Sequence, residues 1–305
     1  MTSMTGQDPL VARHRLVRAV RRAREEAGLT LKQVADALDW SESKLIRIER
    51  GSVGISVTDL RALLAYYGLR DSSHVDRLVG MARTARRART AWSEFETAVS
   101  PGFLLFLGYE ESASTMLHFN PVLVPGLLQV EEYSRAVLAG AYVAPADHVE
   151  EKLRARARRQ RRLDEPEPPR VDVVLDESVV RRAVGGPEVM SRQLRHLHEL
   201  SGRPNLSLRI VPFTAGLHPS TGGPFVILEF DDPTADPVLH LETAAADVTL
   251  RDQPAVVEPY RKAFARLQSM AMDAEASRAF LLKVLDEMWG PRPIPWPNTS
   301  PESRR

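Results

Sequence analysis

From Arg13 onward apolar residues return at three- and four-residue steps, as Leu16, Val17, Val20, Ala23 and Ala27, with arginines filling the other side. That period lays one apolar stripe along a helix, and Gly28 sits where a left-handed residue ends it. Thr30 opens a second helix, because Gln33 three residues on completes a capping box; Val34, Ala35 and Leu38 turn inward. Ser41 caps a third helix that carries Leu45, Ile46 and Ile48 to Gly51. Ser56 and Asp59 form a second capping box, heading a fourth helix with Leu60, Leu63, Leu64 and Tyr67. A fifth runs from Ser73 to about Arg89. Residues 1–12 show no period and are expected to be a disordered leader.

Beyond Trp92 the pattern changes. A mainly helical stretch runs to about Leu163, broken at Pro101-Gly102, Asn120-Pro121 and Pro145. Its last helix carries Arg154, Arg156, Arg158, Arg159, Arg161 and Arg162. Because Glu150 and Glu151 precede them, these arginines read as a solvated, ion-paired face, with nucleic-acid contact as the alternative. After an acidic, proline-rich linker at 164–169, strands are predicted at 171–175, 206–212, 224–230, 238–242 and 247–251. A helix is predicted at 187–201, and two more close the sequence at 254–270 and 273–289. The proline-rich residues 290–305 are expected to be a disordered tail. The expected architecture is α + α/β: a five-helix bundle over 13–90, then a larger domain over 91–289, helical to 163 and α/β from 170.

Charge changes the picture once it is divided. The net charge is only +1, yet residues 1–90 hold 17 basic against 10 acidic residues, or +7, and the remainder carries −6. A basic segment on an otherwise acidic chain points to a polyanionic partner for that segment. The cysteine count of 0 removes disulfides, thiolate metal sites and cysteine nucleophiles together, and fits a reducing cytoplasm. Neither a signal sequence nor an apolar run of about eighteen residues is present, so neither secretion nor a membrane partner is expected.

The stretch Ala27-Gly28-Leu29-Thr30-Leu31-Lys32-Gln33-Val34-Ala35-Asp36-Ala37-Leu38, followed by Trp40 to Gly51, resembles the helix-turn-helix of XRE-class repressors over roughly residues 14–70. The short turn and the small Ala35 at the helix crossing suit that geometry independently. In it the third helix enters the major groove of an operator duplex, and the protein binds as a homodimer on two half-sites. Glu42, Ser43 and Arg47 are then the base-contact candidates: Arg47 for guanine O6 and N7, Glu42 for cytosine N4. The alternatives are a phosphate contact or surface ion pair for Arg47 and a helix-dipole role for Glu42. Thr30, Lys32, Ser41 and Lys44 are placed for phosphates. The resemblance also implies a structural ion pair between Glu49 and Arg24.

A second resemblance rests on Pro121-Val122-Leu123-Val124-Pro125-Gly126-Leu127-Leu128-Gln129, Leu175-Asp176-Glu177, Val184-Gly185-Gly186-Pro187, Val211-Pro212-Phe213 and Gly222-Gly223-Pro224-Phe225. These motifs resemble the C-terminal domain of antitoxin-like XRE regulators from filamentous, high-GC Gram-positive (streptomycete-type) bacteria. That implies a small partner protein encoded nearby. Catalysis is not expected, since no HExxH, GxSxG or P-loop occurs and His196 and His198 fall on different helix faces. A triad of Ser220, His218 and Asp231 can be drawn, but Ser220 lacks a nucleophile elbow. Neither a metal nor a cofactor is expected. For an unidentified small-molecule ligand the candidates are Tyr109, Glu110 and Gln129, between the helical and α/β parts, and His218 in the loop 214–223. The sequence thus supports a DNA-binding transcriptional regulator with a sensing domain, or alternatively an antitoxin that binds a partner protein and regulates its own operon.

Overall fold

The computed structural model describes residues 9–86, 92–140, 146–219, 223–231, 235–242, 248–251 and 254–289. The expected leader (over residues 1–8) and the tail at 290–305 lie outside the described residues. The chain divides into two compact units, one ending at Ser112 and the other beginning at Ala113.

The first unit is helical. It contains α1 (Pro9–Glu26), α2 (Leu31–Ala37), α3 (Glu42–Glu49), α4 (Val57–Tyr66), α5 (Ser72–Ala85) and α6 (Pro101–Ser112). Thr30 and Gln33 close a full capping box, whereas at Ser56 only half of the expected box forms, because the Asp59 carboxylate turns to Lys44. Thr30 accepts a hydrogen bond from Gln33 N while the Gln33 side chain reaches back to Thr30 N, and Ser41 and Ser56 accept from Lys44 N and Asp59 N. Leu16, Val20, Val34, Leu45, Ile48, Leu60, Leu63, Leu64, Leu78 and Val79 form one buried core.

Three expectations change. The first helix starts at Pro9, so its opening turn replaces the end of the expected leader. The fifth stops at Ala85, and residues 87–89 of its expected end lie outside the described residues. The unit also extends past residue 90 to include α6, because Tyr109 of α6 is anchored on α1. Its hydroxyl is hydrogen-bonded to His14 Nδ1 at 2.8 Å, and Arg15 lies over its ring at 5.4 Å.

The second unit is a six-stranded sheet in the order β3-β2-β1-β4-β5-β6 with helices against it. In chain order it holds β1 (Thr115–Asn120), α7 (Glu131–Gly140), α8 (Ala146–Arg161), β2 (Arg170–Asp176), α9 (Glu177–Arg181), α10 (Pro187–Leu200) and β3 (Leu206–Val211). Then follow β4 (Phe225–Glu229), β5 (Val238–Glu242), β6 (Val248–Arg251), α11 (Pro254–Met270) and α12 (Ala274–Val284). Strands β1, β2 and β3 are parallel; β4 runs antiparallel to β1, and β5 and β6 continue that alternation.

Strand β1 corrects the reading of 91–163 as helical. It lies between β2 and β4, with Met116, Leu117, His118 and Phe119 all buried. A strand covered on both faces reads as a continuous apolar run without the alternation that betrays a strand. On one face Phe119, Val174, Phe225, Ile227 and Leu239 pack against Val257, Phe264 and Leu267 of α11. The outer edge of β3 is closed rather than left open: Ile210 N donates to Ser277 Oγ at 3.0 Å, and Ile210 O accepts from Met272 N at 2.9 Å.

The arginines of α8 do not form one solvated face. Arg154 and Arg161 are exposed, whereas Arg156 and Arg159 turn inward, three residues apart on one side of the helix. They lie against Gly126, where an added Cβ would sit 3.2 Å from Arg159 Nη1 and 3.3 Å from Arg156 Nε. Among the described residues no helix is long and apolar enough to cross a membrane.

Candidate nucleic-acid interface

The interface is built on α2, α3 and the turn between them. Asp39 in that turn has φ 55, a left-handed conformation that short polar side chains tolerate, and it redirects the chain within three residues. Val34 and Ala35 of α2 and Leu45 and Ile48 of α3 point into the core. Their burial leaves Glu42, Ser43 and Arg47 on the exposed side of α3. Arg47 Nε folds back on Ser43 O at 3.3 Å, so the guanidinium rests along the outward face of the helix.

The orientation of α3 is fixed by Arg24, at the end of α1. Arg24 Nε donates to Glu49 Oε1 at 2.7 Å, Nη2 to Glu49 Oε2 at 3.0 Å and Nη1 to Leu29 O at 2.8 Å. The Arg24 and Glu49 side chains are only 11% and 7% exposed, so this two-point clamp is screened little by water. The bond to Glu49 holds the guanidinium pKa above its ordinary value, against the opposing effect of burial. Tyr67 of the core lies close enough for Glu49 to act on it, and burial first, then the Glu49 charge, push its hydroxyl up. The pair that the resemblance implies is present, with the geometry of a structural strut.

The four phosphate candidates differ. Lys32 is exposed and makes no ion pair with a described residue. Thr30 and Ser41 spend their hydroxyls on capping, Thr30 on Gln33 and Ser41 on Lys44 N at 3.2 Å. Lys44 is engaged twice: its Nζ is 3.2 Å from Asp59 Oδ2 and 3.8 Å from the centre of the Trp40 ring. Sequence reasoning missed both partners. Trp40 precedes the Ser41 cap and so lies outside α3, beyond the reach of the i,i+4 rule, and Asp59, fifteen residues away, gave no local signal either.

The effector candidates fall in both units. Tyr109 and Glu110 belong to the first unit and are 1% and 3% exposed. Gln129 belongs to the second, where its amide donates to Val124 O at 2.6 Å and accepts from Ser134 Oγ at 2.9 Å and from Arg156. That hydrogen bonding makes Gln129 a structural hub of the loop before α7. His218 lies at the carboxyl end of the parallel strands, its Nε2 3.5 Å from Asp176 Oδ2 and its ring edge-on to Phe119 at 5.4 Å. Ser220 lies outside the described residues. Sequence reasoning missed the buried His118 and His240, which flank Val226 on adjacent strands of one sheet face.

A family model described as a domain of unknown function (DUF5753) matches residues 103–283. A second, described as a helix-turn-helix domain, matches residues 15–78 and so runs from within α1 to the middle of α5. No curated protein and no solved structure matches the chain.

Proposed function

The chain belongs to the DUF5753 family, and on that premise we propose that it is a sequence-specific, cytoplasmic transcriptional regulator of the XRE class. Its helix-turn-helix domain supports a DNA-binding regulator. The observation that carries this reading is the Arg24–Glu49 clamp, which holds α3 with Glu42, Ser43 and Arg47 outward. In this reading α3 enters the major groove, those three side chains meet base edges, and Lys32 meets phosphate. A homodimer places two such helices on half-sites about 34 Å apart.

The second unit acts as the sensing domain for a ligand or a protein. Exposed apolar side chains at the carboxyl ends of β1 and β3 support a recognition role: Val122 is 46%, Phe213 57% and Leu217 85% exposed. The same side chains favour the second reading, a streptomycete-type antitoxin whose partner is a small protein encoded nearby.

The first reading is tested by selecting an operator from random duplexes with the full-length protein and titrating binding against salt. Log affinity should fall linearly and steeply with log salt. A flat response, or no enriched sequence, overturns it. Co-purification of a small protein with the chain from its host would favour the second reading.

A further inference from the structure

Between α1, α5 and the turn that follows α3 lies a partly open cavity of about 150 Å³. Val17, Ile48, Ile55 and Ala82 supply apolar wall, and the polar side chains that line it are the arginines Arg13 and Arg86. Among the described residues that line it none is acidic. Arg13 Nε is removed from solvent and has no hydrogen-bond partner among the described residues. A charged donor in that condition is costly unless an acceptor arrives. A cavity of roughly this volume with aliphatic walls is the size that takes up benzene.

We infer that the helix-turn-helix unit contains a binding site for a small carboxylate with a compact apolar body, of about the size of benzoate. The body lies between Val17, Ile48, Ile55 and Ala82, and the carboxylate meets Arg13, with Arg86 adding positive charge. The location gives the site a consequence. Ile48 belongs to α3 and Ile55 to the turn that joins it to α4, so an occupant touches the element that reads DNA. Gly51, at the end of α3 with φ +69, already leaves little slack there: a Cβ would come 3.3 Å from Val17 Cγ2. A ligand in this cavity acts from inside the DNA-binding unit, separately from any signal received by the second unit.

The test uses the full-length protein, benzoate as the probe and benzyl alcohol as its neutral counterpart, followed by methyl-resolved NMR and calorimetry. Benzoate should move the Ile48 and Ile55 methyl resonances saturably, with a Kd on the order of 10⁻⁴ M, as expected for about nine heavy atoms. Arg13→Gln should weaken benzoate about fivefold and leave benzyl alcohol unchanged, since only the charged contact is removed. Ala82→Leu should abolish both by filling the space. If Ala82→Leu does not fold, Arg13→Gln, on a partly exposed side chain, still decides. Absence of saturable shifts at about 10 mM benzoate, equal binding of the alcohol, or benzoate affinity unchanged in Arg13→Gln overturns the inference.

Discussion

Arg24 and Glu49 meet through two parallel hydrogen bonds, 2.7 and 3.0 Å, that tie the end of α1 to the end of α3. Both side chains are almost fully buried, so removing one leaves the other charged and unpaired. Arg24→Ala is expected to lower stability by about 3 to 5 kcal/mol and to lose DNA binding in parallel, because α3 is no longer held. Urea unfolding and a binding isotherm on the same preparation check this. Stability retained with binding lost would show instead that Arg24 touches phosphate. Replacing both partners, as Arg24→Met with Glu49→Leu, should recover most of the stability.

Lys32 and Lys44 look alike in sequence and differ in the structure. Lys32 is exposed and makes no ion pair with a described residue, whereas Lys44 is held between Asp59 and the Trp40 ring. Lys32→Ala should therefore reduce the slope of log affinity against log salt by about one. Lys44→Ala should reduce it by less, since its charge is already offset. Asp59→Asn should release Lys44 and strengthen binding at low salt. Equal slopes for the two lysine variants would refute this distinction.

What was legible in the sequence was local. The box of Thr30 and Gln33 and the caps at Ser41 and Ser56 involve side chains and amides three residues apart, and they form, except that the expected box at Ser56 lacks its Asp59 half, which a residue fifteen positions away takes up. The closing helix at 254–270 agrees in both bounds. What failed depended on distant partners. Tyr109 joins α6 to the first unit through His14, ninety-five residues away, and composition alone drew the boundary too early. Strand β1 hid because both its faces are buried, and the inward turn of Arg156 and Arg159 followed from Gly126, which only the fold brings beside them. The Arg24–Glu49 pair is non-local too, at twenty-five residues, and was reached only through the resemblance.

Arg47 is exposed on α3, and its bond to Ser43 O is a surface contact that DNA can replace at little cost. Arg47→Ala should cost about 1 to 3 kcal/mol of operator affinity and relax preference at one base pair, leaving the salt slope nearly unchanged. Affinities for single-substitution operators measure it. A uniform loss across all operators, with the slope reduced by about one, would assign Arg47 to phosphate instead.

His118 and His240 give the second unit a pH dependence whose sign can be worked out. They lie on β1 and β5 on either side of Val226, 4% and 5% exposed, and His118 Nε2 has no hydrogen-bond partner among the described residues. Burial first, and the nearby Arg159 charge second, lower both pKa values to about 3. In the unfolded chain each returns to about 6.5. Below that pH the unfolded chain takes up protons that the folded one refuses. Stability is undiminished above about pH 6.5 and falls as pH drops toward 3, by at most about 1.4 kcal/mol per pH unit for each histidine. Urea-induced exposure of the β1 and β5 peptides in the full chain, followed by hydrogen exchange, should therefore occur at lower urea at about pH 5 than at about pH 7.5. His118→Gln should flatten that dependence by about half, whatever it does to stability at neutral pH. If the dependence persists unchanged with both His118→Gln and His240→Gln in place, its source is another group.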